Sequence, residues 1–183
     1  MTSTDRIAPA TYTLDNAWDQ AHRRLRLLEQ CYDPGTTRRL QGIGVSSGWR
    51  CLEAGAGGGS VTALLCRQVG PQGSVTAIDI DTRFLGEIDA GNLAVVEADV
   101  TTTELPRHAF DLVHCRAFLM HLPARHQVLE SLVASLRPGG WILVEEGDSS
   151  PAAAGSGLLE QVLVGGLTSA GVDWTFARTM PAL

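Results

Sequence analysis

The chain has 183 residues, 44% of them hydrophobic, which is enough for one domain with a substantial core and too few to expect two. A formal charge of -6 and a pI near 5.3 argue against the broad cationic footprint on which duplex nucleic-acid binding rests. All 14 basic residues are Arg, so mechanisms that need a lysine base or a Schiff base are excluded too.

The N-terminal stretch lacks the basic-then-apolar order of a signal peptide, and no apolar run reaches membrane-spanning length. A cytoplasmic protein with no membrane contact is expected. Cys31, Cys51, Cys66 and Cys115 form no C-x-x-C pair and have no His at zinc-ligand spacing, so reduced thiols and no metal are expected.

From Leu14, apolar residues recur at Ala17, Trp18, Ala21, Leu25 and Leu28, a period that predicts an amphipathic helix. Asp33-Pro34 then reads as an N-cap followed by proline at the first helical position, opening a second, short helix that ends by Gly42 and Gly44. Residues 1–46 are therefore expected to form a helical lid segment ahead of a main domain over 47–183. Within that domain 49–55 reads as a buried strand and 60–69 as a helix with Val61, Leu64, Leu65 and Val69 on one face. A second strand is predicted at 73–80, a short helix at 83–88, a third strand at 93–100 and a fourth at 110–117. A helix over 123–136 turns Val128, Leu129, Leu132, Val133 and Leu136 inward, and a fifth strand covers 140–146. Apolar runs separated by helices predict an α/β, doubly wound, mostly parallel sheet covered on both faces. Beyond a small-residue linker, Leu158, Leu159, Val162, Leu163 and Leu167 predict one more helix, and 172–179 is a candidate edge strand.

The chemistry gathers at strand ends. The first strand runs into Glu53-Ala54-Gly55-Ala56-Gly57-Gly58-Gly59-Ser60, where glycine permits positive φ and close backbone approach, and the following helix presents unpaired N–H groups. Such a turn alone is a weak signal, because dinucleotide enzymes use a related one. The acid two residues before the first glycine sharpens it: the order E-x-G-x-G-x-G disfavours a polyanion and suits a ligand carrying an ammonium and a sulfonium. Asp79, at the end of the second strand, can accept both hydroxyls of a ribose, which does not distinguish NAD from other nucleosides. Asp81 is better placed to cap 82–88. Asp99, at the end of the third strand, can accept from an adenine amino group, although a plain loop carboxylate fits the same position. His114 alternates with Val113 on a buried strand, so a core histidine fits as well as an acceptor contact. His121 stands at a helix start and is the other candidate base. Glu145, Glu146 and Asp148 end the fifth strand, where one can face an acceptor or serve the loop. Arg23, Arg24 and Arg26 read mainly as a solvated helix face.

The ordered series "LEAGAGGGS", "VTAIDID", "EADVTTTELP", "FDLVHCRAFLMHL" and "LRPGGWILVEE" resembles the motif series of class I S-adenosylmethionine-dependent methyltransferases over roughly residues 49–146. The segment 11–30 resembles the lid helices of small-molecule members. The resemblance implies S-adenosylmethionine as cofactor and a small-molecule methyl acceptor. Glu53, Gly55, Ala56 and Gly57 would line its methionine moiety, Asp79 and Ile80 its ribose, and Asp99 with Val100 its adenine. His114, Cys115 and Arg116 would face the methyl group and acceptor, "LRPGG" being a structural turn. In such methyltransferases the sheet ends with a further helix and an antiparallel hairpin, for which no segment after Glu146 is evident. An incomplete C-terminal edge is expected, which pairing into a homodimer would complete. Two rivals stand beside this reading: an NAD(P)-dependent oxidoreductase on the same sheet, and a non-catalytic cofactor-binding or interaction protein of the same fold.

Overall fold

The computed structural model describes residues 20–148, 168 and 171–180. The alternation read in the sequence becomes helix α1 (Ala21–Ile43), strand β1 (Arg50–Ala54), helix α2 (Ser60–Val69), strand β2 (Ser74–Asp79), strand β3 (Leu93–Glu97), strand β4 (Phe110–Arg116), helix α3 (Arg125–Ser135) and strand β5 (Leu136–Glu145). The strands form one five-stranded sheet in the order β3-β2-β1-β4-β5, with every neighbouring pair parallel. The chain starts in the middle and winds outward twice, so the strand order reverses between β1 and β4. In a doubly wound sheet the crevice at the carboxyl ends of those two strands is where ligands bind.

Both faces of the central strands β1, β2 and β4 are covered, which is why they read as unbroken apolar runs, whereas β3 and β5 remain largely open at the sheet edges. On one face α1 and α2 close over Cys51, Val75 and Leu112 with Leu40, Val61, Leu65 and Val69. On the other, α3 and a 3-10 turn at Phe176–Thr179 close over Leu52, Ala54, Ile78, Val113 and Cys115 with Val128, Leu132 and Phe176. No described helix is long and apolar enough to cross a membrane.

Several expectations are corrected. The break at Asp33-Pro34 does not occur: a single helix of 23 residues runs through Pro34 and ends at Gly44 in the left-handed conformation. Proline inside a helix costs roughly 3 kcal/mol, and α1 is tied down on either side of it: Asp33 accepts from Ser60 and Arg116, and Thr36 and Arg39 donate to Glu145. Residues 83–88 contribute only a 3-10 turn at Leu85–Glu87. Strand β5 begins at Leu136 rather than Gly140, absorbing the predicted turn by a register shift opposite Phe110 and Leu112. Gly140 lies so close to the carbonyls of Phe110, Asp111 and Arg137 that a β-carbon would come within 3.0–3.1 Å of them. The candidate edge strand at 172–179 is instead a turn running into the 3-10 segment, with Val172 and Phe176 buried and Thr175 N–H donating to Asp173. Val133 faces solvent at 49% exposure rather than inward. Leu14, Ala17, Trp18 and the helix expected over 158–167 lie outside the described residues.

Candidate active site

The turn after β1 has the backbone that only glycine adopts freely: Gly55, Gly57 and Gly59 have φ of +74°, +54° and +86°. Gly55 also has no room for a side chain, because a β-carbon there would meet the ring of Phe118. Gly59 opens α2 as its N-cap without a side-chain cap of its own. The exposed start of α2 is met from α1 instead. Ser60 donates from its N–H to Glu29 Oε1 at 3.4 Å and from its hydroxyl to Asp33 Oδ1 at 3.0 Å. Two carboxylates therefore already sit at the positive end of α2, the place a bound diphosphate would take.

Behind the turn, neighbouring strands carry a buried chain of charges. Glu53 and His114 are register partners on β1 and β4, and Glu145 lies at the end of β5. His114 Nδ1 lies 2.7 Å from Glu53 Oε2 and its Nε2 lies 2.9 Å from Glu145 Oε2. The ring is 0% exposed and Glu53 3%. Burial pulls the His114 pKa down, but the Glu53 charge and hydrogen bonds to both carboxylates outweigh it and push the pKa up to about 9. The ring is then an imidazolium with both N–H groups donating. Burial would raise Glu145, yet hydrogen bonds from His114 and Thr36 bring it below the ordinary value.

The chain of bonds ends on α1. Thr36 donates its hydroxyl to Glu145 Oε2 at 2.6 Å, and Arg39 donates to Glu145 Oε1 at 2.9 Å. Arg116 Nη1 donates to Asp33 Oδ1 and Thr36 Oγ1, each at 2.9 Å, and its guanidinium lies 5.9 Å from the centre of the Tyr32 ring.

Around this centre, Asp79 Oδ2 accepts the Gly57 N–H at 2.8 Å and its Oδ1 the Asp81 N–H at 3.1 Å. Burial pushes its carboxyl above the ordinary value, against the hydrogen bond from Gly57. Asp81 caps the next turn through the Arg83 N–H and guanidinium. Asp99 Oδ1 accepts the N–H and hydroxyl of Thr101 at 2.8 and 2.7 Å. His121 ends a 3-10 turn at Leu119–His121; burial, then the Arg24 charge, pull its pKa to about 4. Glu146 Oε1 takes the N–H groups of Phe118 and Leu119 at 3.1 and 2.7 Å, and burial pushes its carboxyl up to about 7.

Residues 52–144 match the family described as a methyltransferase domain. The chain belongs to that family, the class I S-adenosylmethionine-dependent methyltransferases. This methyltransferase is 34% identical over 111 residues to a ubiquinone/menaquinone biosynthesis C-methyltransferase, UbiE, of Pseudomonas entomophila (strain L48), covering 56% of this chain and 43% of that one. It thus spans under half the length of the curated relatives it matches. Its fold is that of an S-adenosylmethionine-dependent methyltransferase from Aquifex aeolicus, with a TM-score of 0.57, 21% identity, 75% of this chain covered and 79% of that one. It is also that of the 1,6-didemethyltoxoflavin-N1-methyltransferase of Burkholderia thailandensis, with a TM-score of 0.60, 24% identity, 72% of this chain covered and 60% of that one.

The methyltransferase brings together Glu53, Gly55, Ala56, Gly57 and Asp79 around one turn. Val100 is 7% exposed in the core, whereas Ile80 is 50% exposed. Three expectations change. His114, a candidate base, has both ring nitrogens engaged and none left for an acceptor. The Cys115 thiol is sealed at 0% exposure in the core beneath α3, because β4 turns alternate residues to opposite faces. Arg116 reaches back to α1. Sequence reading missed Glu29, Thr36, Arg39 and Phe118, and gave Asp33 to its own helix. The signal was there in the spacing of Glu29, Asp33 and Thr36, which shares one helix face once Pro34 is not taken as a break.

Proposed function

We propose that this methyltransferase domain is a cytoplasmic enzyme that transfers the methyl group of S-adenosylmethionine to a small-molecule acceptor, with the cofactor held at the 53–59 turn. The observation that carries this is electrostatic: Glu29, Asp33, Glu53 and Asp79 all lie at or beside the turn, and Glu29 and Asp33 occupy the start of α2. Arg116 and His114 each pair with one of these four carboxylates, and the negative charge that remains suits a ligand with an ammonium and a sulfonium and opposes a diphosphate. The donor set therefore fits S-adenosylmethionine better than NAD. In this reading Glu53 would receive the amino group, Asp79 the ribose hydroxyls, and Asp99 with Val100 the adenine.

When bound, the cofactor supplies a methyl group already activated by its sulfonium. The protein's work is then alignment and exclusion of water, and orientation of reactants can supply about 7–11 kcal/mol. Phe118 and α1 lie directly on the turn, with Leu25 3.5 Å from where a β-carbon of Gly57 would stand.

A second reading of the acceptor, a carbon atom of a quinone-type molecule, draws on the 34% identity with a ubiquinone/menaquinone biosynthesis C-methyltransferase over 43% of its length. Thermal unfolding in S-adenosylmethionine, S-adenosylhomocysteine and NAD tests the central proposal. At a hundred times Kd the two sulfur nucleosides should each add about 2.7 kcal/mol and raise Tm by several degrees. A rise with NAD alone would point to the oxidoreductase instead.

A further inference from the structure

We infer that His114 is a positioning residue of the methyl-donor site: clamped between Glu53 and Glu145, it fixes the Glu53 carboxylate so that Oε1 is presented at the glycine turn to the ammonium of the donor's amino-acid moiety. The inference rests on the reading of that turn as the S-adenosylmethionine site.

Glu53 is the next-to-last residue of β1 and stands two residues before Gly55, so its carboxylate is rooted where the strand becomes the turn. One oxygen, Oε2, is committed to His114 at 2.7 Å. The other, Oε1, has no hydrogen-bond partner among the described residues. A carboxylate on a flexible stem loses rotamer freedom when it binds, and an anchor made in advance lowers that cost. His114 provides the anchor, and is itself held from the far side by Glu145 at 2.9 Å. Glu145 in turn is held by Thr36 and Arg39.

The charges along this chain alternate, from Glu53 through His114 and Glu145 to Arg39, so each carboxylate has a cationic neighbour that holds it in place. The arrangement also has a directional consequence: the path from α1 through Glu145 and His114 ends on Glu53, at the amino-acid end of the ligand.

That consequence gives the test. Calorimetric titration of the full chain compares S-adenosylhomocysteine with 5′-methylthioadenosine, the same nucleoside thioether without the amino-acid moiety. In His114→Gln the first should bind ten- to a hundredfold more weakly, the scale of a charge-assisted contact, while the second changes less than threefold. Circular dichroism establishes whether that variant folds. Should it not, Glu145→Gln, which keeps the side-chain shape but removes the outer anchor's charge, carries the test with the same selectivity and at least a threefold loss. Equal losses for both ligands, or an unchanged affinity for S-adenosylhomocysteine, would overturn the positioning role while leaving the donor site in place. Wild-type protein that binds neither ligand would overturn the donor site, and this inference with it.

Discussion

His114 sets the response of the fold to pH. Its proton is bound more tightly in the folded chain than in the unfolded one, with a pKa of about 9 against 6.5. The stabilisation is therefore complete below about pH 6.5 and is lost as pH rises through about 9. Glu146, raised from 4.5 to about 7 by burial, acts in the same direction: its burial is tolerated best when protonated, and stability falls as it ionises. Urea unfolding should show His114 alone removing on the order of 3 kcal/mol between pH 6.5 and pH 9, since each tenfold difference in proton affinity between the folded and unfolded chain is worth about 1.36 kcal/mol. In His114→Gln the slope over that window should flatten; an unchanged slope would deny the imidazolium its place between two carboxylates. At the ligand side of the same turn, Asp79→Ala should weaken S-adenosylhomocysteine ten- to a hundredfold by removing charge-assisted hydrogen bonds. Calorimetry that finds equal affinity would remove Asp79 from the ribose.

At the scale of the elements, glycines of the same chain differ in what they do. Gly73, between α2 and β2, lies against the Trp49 carbonyl and the Val69 side chain, which an added β-carbon would approach to 2.5 and 2.6 Å. Backbone cannot move aside, so Gly73→Ala should cost about 1–3 kcal/mol. Gly42, inside α1 with nothing near its missing β-carbon, predicts the reverse. Gly42→Ala should gain roughly 0.5–1 kcal/mol from helix propensity, and thermal melts of the two variants should move in opposite directions. Unbroken apolar runs made β1, β2 and β4 legible in the sequence, and a 3.6-residue period made α2 and α3 legible, because each buries a defined set of side chains. What stayed hidden was decided by tertiary contacts. Pro34 reads locally as a start, yet Glu29, Asp33, Thr36 and Arg39 find partners on α2, β4 and β5 that keep one helix continuous. Glu53 and Asp79 were legible because they sit at strand ends. The buried pairing of His114 was not, because it depends on the register of β1, β4 and β5.

In the whole molecule, α1 is held across the strand-order reversal by charged groups rather than by apolar burial alone. Leu27 and Leu28 remain exposed at 53% and 38%, while Asp33, Thr36 and Arg39 reach the sheet edge. Arg116 is central to that hold, with side-chain exposure of 14% against 36% for Asp33. The half-open ion pair contributes modestly, so Arg116→Ala should loosen α1 by about 1 kcal/mol. Amide exchange in α1 should then speed up roughly fivefold with β1 unaffected. Uniform acceleration would mean that Arg116 supports the entire fold instead.

The most direct measurement of the donor site is a crystal structure of the chain with S-adenosylhomocysteine. The amino group should lie within hydrogen-bond reach of Glu53 Oε1 and the ribose hydroxyls on Asp79, with Glu29 and Asp33 still at the start of α2. A nucleoside seated elsewhere, or those two carboxylates displaced by a diphosphate in crystals grown with NAD, would contradict it.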